Sequence, residues 1–340
     1  MKTHHTETDV LRLAASFAVA LLHSAAARMS GMDPAAEGAW LPCLLNALCR
    51  FSVPIFVMIS GRYMLSSECS ICRALRKAGQ ALLSLLLWSL VYFGYALLLG
   101  WRPSSAAAAV EQLLTQPVHL WYFYAAASLY IVAPVVSVFT RHATHRQLLY
   151  GMTLSGFFGC GVVILLRTDC FPLLSVVMEQ TKLPYTTGFL FCYLLGYYLY
   201  RYPLGRKGLY GIGATGILGW AVTFAGTMWL SERSGAWNEL LLSFYAPNVI
   251  VTSAAVFALV QRFFGRWAMP DRPRRFLAAF AGTTGGIYGL HMLVLWLLED
   301  RRLPLPVEAL TVYLISAAVI WGGQRVLQLG KRWVLPEKKE

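Results

Sequence analysis

The feature that most constrains this chain is a succession of apolar stretches, each close to the roughly twenty residues a helix needs to cross hydrocarbon. Ten can be read along the 340 residues: 10–28, 42–65, 79–100, 118–139, 147–166, 184–200, 208–230, 244–261, 276–298 and 306–324. Composition agrees, since 57% apolar, 14% aromatic and only 13% charged residues, with a mean hydropathy of +0.56, describe a chain that must meet lipid. Lipid tails offer backbone groups no hydrogen bonds, so spanning segments of this length are helices. The expected fold class is therefore all-α, a polytopic integral membrane protein of about ten transmembrane helices. Residues 1–340 form one membrane domain, with short cytoplasmic tails at 1–9 and 325–340. The polar leader MKTHHTETD, and the want of a mature soluble sequence after any small-x-small site, argue against a cleaved signal peptide.

Basic residues set the expected orientation. With ten spans and an inside N-terminus, and with Arg12 at the edge of the first stretch counted as inside, Lys and Arg divide 20 to 7 in favour of the cytoplasmic side, while Arg50 and Arg62 stand inside the second stretch. The positive-inside rule then puts both termini in the cytoplasm. The net charge of +13 is spread over short loops and forms no single stripe, so a nucleic-acid partner is not expected, whereas membrane lipid is. Seven cysteines are an odd number and form no disulfide framework. Cys69 and Cys72 make a CxxC without a second pair or a nearby His, so no metal site is expected.

Ionisable groups inside spans are costly and tend to mark a functional path. The first stretch, DVLRLAASFAVALLHSAAARM, holds Asp9, Arg12 and His23. Eleven residues separate Arg12 from His23, which places them about 20° apart in direction and roughly 16 Å apart along a helix. One face thus carries a guanidinium suited to phosphate or carboxylate and, deeper, an imidazole suited to proton transfer. A plainer reading has Arg12 reaching back to the interface and His23 bonding a neighbouring helix.

The second stretch, RFSVPIFVMISGRYML, carries Arg50, a cation that needs anionic or carbonyl partners, and Pro54, expected to break the helix at mid-membrane. Next, ECSICRALRKAGQ sets Arg73 and Arg76 three residues apart with Lys77 adjoining, a face open to two readings, phosphate binding or contact with anionic lipid. PVHLWYFYAAASLYIVAPVV places His119, Trp121, Tyr122 and Tyr124 at the outer interface, with Tyr130 one turn before Pro134. These aromatics suit either an interfacial belt or a sugar ring. The small residues of GLYGIGATGILGWAVTFAG permit close helix contacts, SFYAPNVIVTSAAVF adds Pro247 and Asn248, and AGTTGGIYGLHMLVLW sets Tyr288 and His291 on similar faces.

Taken in order, these segments resemble the membrane-bound acyltransferase-3 family, known for O-acetylation of bacterial surface polysaccharides. The marks are Arg12 and His23 with ten residues between them, RFSVPIFVMISG, the Arg73 and Arg76 pair, HLWYFY followed by LYIVAPVV, YAPNVIV, and GIYGLH. More narrowly, HLWYFY with YAPNVIV is similar to the branch containing the enterobacterial common antigen O-acetyltransferase.

The resemblance implies a multi-pass protein of the bacterial inner membrane. Its donor would be cytoplasmic acetyl-CoA and its acceptor a glycan or lipid-linked saccharide. It also implies His23 as the essential catalytic group with Arg12 beside the donor, and Arg73 and Arg76 at the donor phosphates. Arg50 joins them as a candidate donor-binding cation, and His119, Trp121, Tyr122, Tyr130, Asn248, Tyr288 and His291 are the candidate acceptor contacts. Two departures stand out: Arg62 follows Ser60-Gly61 where an aromatic or apolar residue is usual, and no carboxylate of the later spans is an evident partner for His23. The rival classes are a transporter of a small anionic solute or glycan precursor, which shares broken helices and intramembrane charges, and a non-enzymatic membrane sensor.

Overall fold

A computed structural model describes residues 5–115, 118–162, 164, 188–298, 301 and 303–334. The described residues form helices and connecting turns, with no strand among them. In chain order the helices are α1 (Thr6–Ser30), α2 (Trp40–Cys49), α3 (Ser52–Leu65), α4 (Ile71–Leu98), α5 (Ala106–Thr115), a 3-10 turn (Val118–Leu120) and α6 (Trp121–His142). After them come α7 (His145–Gly156), a π-helical turn (Phe157–Val162), α8 (Leu190–Arg201), α9 (Arg206–Ser234), α10 (Pro247–Phe264), α11 (Asp271–Ala281), α12 (Thr284–Leu298) and α13 (Leu305–Val334).

Seven helices among the described residues are long and apolar enough to cross a membrane, or eight if α11 and α12, bent by 52° at their junction, count as one span. The expected stretches 147–166 and 184–200 run into residues outside the described set, so α7 and α8 represent them only in part. Leu82, Leu83, Leu86, Leu87 and Leu90 of α4 lie exposed, as a lipid-facing helix surface requires.

The first helix is the hub, touching α2, α3, α10, α11, α12 and α13. It starts within the polar leader. Thr6, Glu7, Thr8 and Asp9 are helical and buried, because the guanidinium of Arg62 on α3 donates to Thr8 Oγ1 at 2.9 Å and to Glu7 Oε1 at 2.8 Å. Arg62, read from sequence as a departure from the family pattern, is thus a buried structural cation.

The second stretch does break, though four residues before the proline. α2 ends at Cys49 and α3 begins at Ser52, so the interruption falls at Arg50 and Phe51. Pro54 sits in the first turn of α3, where an N–H would have had no intrahelical partner and its absence costs little. Pro247 likewise opens α10, while α6 continues through Pro134.

Backbone contacts at glycine lock two helix pairs. A Cβ on Gly61 would lie 1.9 Å from the carbonyl oxygen of Tyr193, and one on Gly196 would lie 2.1 Å from that of Met58, so α3 and α8 meet backbone to backbone. The small residues of α9 serve the same end: a Cβ on Gly216 would stand 2.4 Å from that of Ala255 on α10.

Candidate active site

Two regions lie along α1, one at Arg12 and one at His23. At the first, Arg12 pairs with Asp9 one turn earlier (Nη1 to Oδ1, 3.5 Å) and lies over the ring of Tyr63, 5.6 Å from its centroid. The guanidinium faces a cavity of about 630 Å³ that Arg73 and Lys77 of α4 also line, together with His5, Asp9 and Tyr130. Ser70 caps α4 by accepting from the Arg73 backbone N–H, and the Arg73 side chain donates to Ser67 Oγ at 3.2 Å and to the Tyr63 carbonyl at 3.3 Å. This places three cations around one space, a setting for an oligoanion. Arg76 is exposed and does not line it. Helix geometry explains the exchange: Lys77, four residues on from Arg73, stands nearer its direction than Arg76, three residues on.

A second cavity, of about 170 Å³, shares Arg12, Ile59, Ser60 and Tyr130 with the first, so the two adjoin. It continues inward to Phe123, Tyr122 and Tyr288. Ser60 Oγ and the Tyr130 hydroxyl stand 3.5 Å apart on its wall.

Beyond Tyr288 lies a cluster of three imidazoles. His23 of α1, His119 of the 3-10 turn before α6 and His291 of α12 have ring centroids 5.1 Å (His23 to His291), 5.8 Å (His119 to His291) and 6.5 Å (His23 to His119) apart. His119 and His291 are buried, whereas His23 is half-buried. The Tyr288 hydroxyl donates to the His119 carbonyl, and the Tyr288 carbonyl accepts from His291 Nδ1 at 2.7 Å. Tyr92 of α4 braces the cluster: its ring lies 4.6 Å from that of His119, and its hydroxyl donates to the Gly289 carbonyl at 2.8 Å. Tyr92 is a member of this cluster that sequence reading did not single out, because it stands among Ser89 and Tyr95 late in an apolar helix and nothing in the spacing sets it apart.

Arg50 belongs to this second region and not with Arg73. It does not line the basic cavity, and its flanking Cys49 and Phe51 pack in one apolar cluster with Leu22, the neighbour of His23 in α1. Its Nε donates to Asn46 Oδ1 at 2.7 Å, and the guanidinium lies over Phe244, 5.3 Å from the ring centroid. Phe244 leads to Trp121, 5.9 Å away, which stacks on Phe189 at 5.6 Å and 18°. Asn248 lies elsewhere: its amide donates to Thr223 Oγ1 at 2.7 Å and to the Leu241 carbonyl at 2.8 Å, tying α10 to α9 and the turn before α10. Of the CxxC pair, Cys69 is buried and Cys72 exposed, and both are free thiols.

A helical membrane bundle with a basic cavity at one end of its central helix and a histidine cluster further along describes a multi-pass membrane enzyme. The family model described as an acyltransferase domain, that of the acyltransferase-3 family, matches residues 6–323, and the chain belongs to this family. It is a membrane acyltransferase. Comparison with curated proteins gives no match, and comparison with solved structures gives none.

Proposed function

We propose that this protein is an O-acetyltransferase of the bacterial inner membrane, moving an acetyl group from cytoplasmic acetyl-CoA to a hydroxyl of a surface glycan or lipid-linked saccharide. One observation carries the reading: Arg12, Arg73 and Lys77 line a cavity of about 630 Å³, and the smaller space adjoining it reaches Tyr288, which contacts His119 and His291 of the cluster that includes His23. The phosphates of acyl-CoA match the cations. Its slender pantetheine arm matches the narrower space, and the thioester at its end needs a base within reach.

His23 supplies that base. A sugar hydroxyl is a weak nucleophile at neutral pH, and taking its proton during attack on the thioester is worth about 10² to 10⁴ in rate. Trp121 with Phe189 and Phe244 offers aromatic faces to the acceptor ring, and Arg50 stands beside them.

Transfer of label from [acetyl-¹⁴C]acetyl-CoA into the glycolipid fraction of inverted membrane vesicles tests the reading. Wild-type protein should transfer label, and His23→Ala should abolish transfer while leaving acetyl-CoA binding nearly intact. Solute flux without label transfer would favour a transporter and overturn the proposal.

A further inference from the structure

Among the described residues no carboxylate is paired with His23, and the aromatic ring nearest to it is another imidazole. The His291 ring centroid is 5.1 Å from that of His23, with the planes at 46°. A carbonyl oxygen only accepts, so the 2.7 Å contact between His291 Nδ1 and the Tyr288 carbonyl puts the proton of neutral His291 on Nδ1. Its Nε2 is then a bare acceptor. That atom is fully buried and has no hydrogen-bond partner. Leaving a buried acceptor unpaired is costly, and such groups in a fold call for an explanation.

The surroundings supply one. Tyr288 and His291 are fixed to each other by the backbone contact, so the His291 ring is held and cannot turn away. His23 is the half-buried member of the cluster and so the less confined of the two rings. At a centroid separation of 5.1 Å, a turn that faces the rings to each other brings their nitrogens to an ordinary hydrogen-bond distance of about 2.7–3.2 Å. His119 is the weaker candidate, at 6.5 Å from His23 and wedged edge-on against Tyr92.

We propose that His291 is a positioning residue for His23: its bare Nε2 accepts the N–H of one His23 ring nitrogen and so leaves the other nitrogen as a lone pair aimed at the acceptor hydroxyl. The inference rests on the acetyl-transfer reading given above. In the transfer step the acceptor oxygen forms a bond to the thioester carbonyl carbon, and its proton passes to the free nitrogen of His23. The carbon–sulfur bond breaks, its electron pair leaves with the CoA sulfur, and His23 returns the proton to that thiolate, giving an acetyl ester and CoA thiol. His291 gains and loses no proton. It sets the tautomer and direction of His23 and stabilises the imidazolium, the part a carboxylate plays in a Ser-His-Asp triad.

The test uses full-length protein in inverted membrane vesicles, with [acetyl-¹⁴C]acetyl-CoA as donor and label in the glycolipid fraction as readout. Wild type and His23→Ala are run alongside. His291→Phe keeps ring volume and removes the acceptor, whereas His291→Gln keeps an acceptor near the Nε2 position. The expected result is a fall in kcat of about 10²-fold for His291→Phe with KM for acetyl-CoA unchanged, partial recovery in His291→Gln, and a smaller loss in His119→Phe.

The inference is overturned if His291→Phe stays within threefold of wild type. It is also overturned if Phe and Gln variants lose activity equally and share a lowered Tm, or if His119→Phe costs more than His291→Phe. A wild type that transfers no label, or a His23→Ala variant as active as wild type, sinks the acetyl-transfer reading instead, so the two failures are told apart.

Discussion

Arg62 and Glu7 form a buried ion pair, 2.8 Å between Nη2 and Oε1, that ties the start of α1 to the end of α3. The guanidinium also lies 4.2 Å from the ring centroid of Tyr200, so the pair joins α8 to the same knot. Removing one member strands the other charge, which typically costs about 3 to 5 kcal/mol, whereas replacing both by apolar groups of similar volume is often close to neutral. Arg62→Met should therefore lower the apparent Tm in detergent markedly, and Glu7→Leu with Arg62→Met should recover much of it. Equal Tm values for wild type and Arg62→Met would show that the pair contributes nothing.

On the proposed donor site, Arg73 and Lys77 line the basic cavity and Arg76 does not. A charge-assisted hydrogen bond is worth about 1.5 to 3 kcal/mol, or roughly tenfold to a hundredfold in affinity. Arg73→Ala and Lys77→Ala should each weaken acetyl-CoA binding by a factor in that range, and Arg76→Ala by less than about twofold. Calorimetric titration of the three purified variants with acetyl-CoA separates them. A weaker Arg76→Ala with an unchanged Lys77→Ala would return the site to the Arg73 and Arg76 pairing that the family resemblance implies.

That contrast marks how far the sequence reaches. Hydropathy made the helical membrane class legible, and charge in the first span pointed to α1, because lipid penalises polar groups severely enough to leave a strong signal. His119 and His291 were visible one by one. Their meeting with His23 was not, since these positions stand 96 and 172 residues apart along the chain and periodicity reports only neighbours on one helix. Arg50 was legible as a cation needing partners, yet its side of the bundle depended on where α2 stops, and the break at Arg50 precedes the proline that seemed to announce it. Arg62 could not be assigned without knowing that Glu7 of the polar leader folds into the same helix as Arg12.

Close backbone approach predicts a sharp size limit between α3 and α8. Any side chain on Gly61 would overlap the Tyr193 carbonyl, whose distance from the added Cβ would be 1.9 Å. Gly61→Ala should therefore push the helices apart and reduce the yield of folded protein in detergent extraction. Gly79→Ala on α4, where an added Cβ meets nothing within 4 Å, should extract like wild type. Equal yields for the two variants would contradict the packing.

Orientation gives an independent check. Gly235 closes α9 and Asp271 opens α11, with α10 as the one helix between them. With ten spans, the 20 to 7 division of basic residues predicts Asp271 on the cytoplasmic side and Gly235 opposite. Alkaline phosphatase fused after Gly235 should be active and after Asp271 inactive. The same activity at both points would remove α10 as a span.

The link between the basic cavity and the imidazoles runs through Tyr288, whose ring lines the inner cavity and whose hydroxyl donates to the His119 carbonyl. Its ring meets Tyr122 at 5.7 Å and Phe123 at 5.3 Å, both edge-on, so packing and hydrogen bonding are separable at this residue. Tyr288→Phe keeps the ring contacts and deletes the hydrogen bond to the His119 carbonyl, worth about 0.5 to 1.5 kcal/mol. His119 would then be held less firmly, while His291, fixed by the Tyr288 backbone carbonyl, would keep its place. Tyr288→Phe should thus lower Tm modestly, reduce label transfer by no more than about tenfold and leave acetyl-CoA affinity unchanged. Tyr288→Ala removes the ring as well and should cost both stability and transfer far more. A Tyr288→Phe variant as inactive as His23→Ala, at normal Tm, would mean that the hydroxyl takes part in the chemistry and that bracing His119 is not its main role.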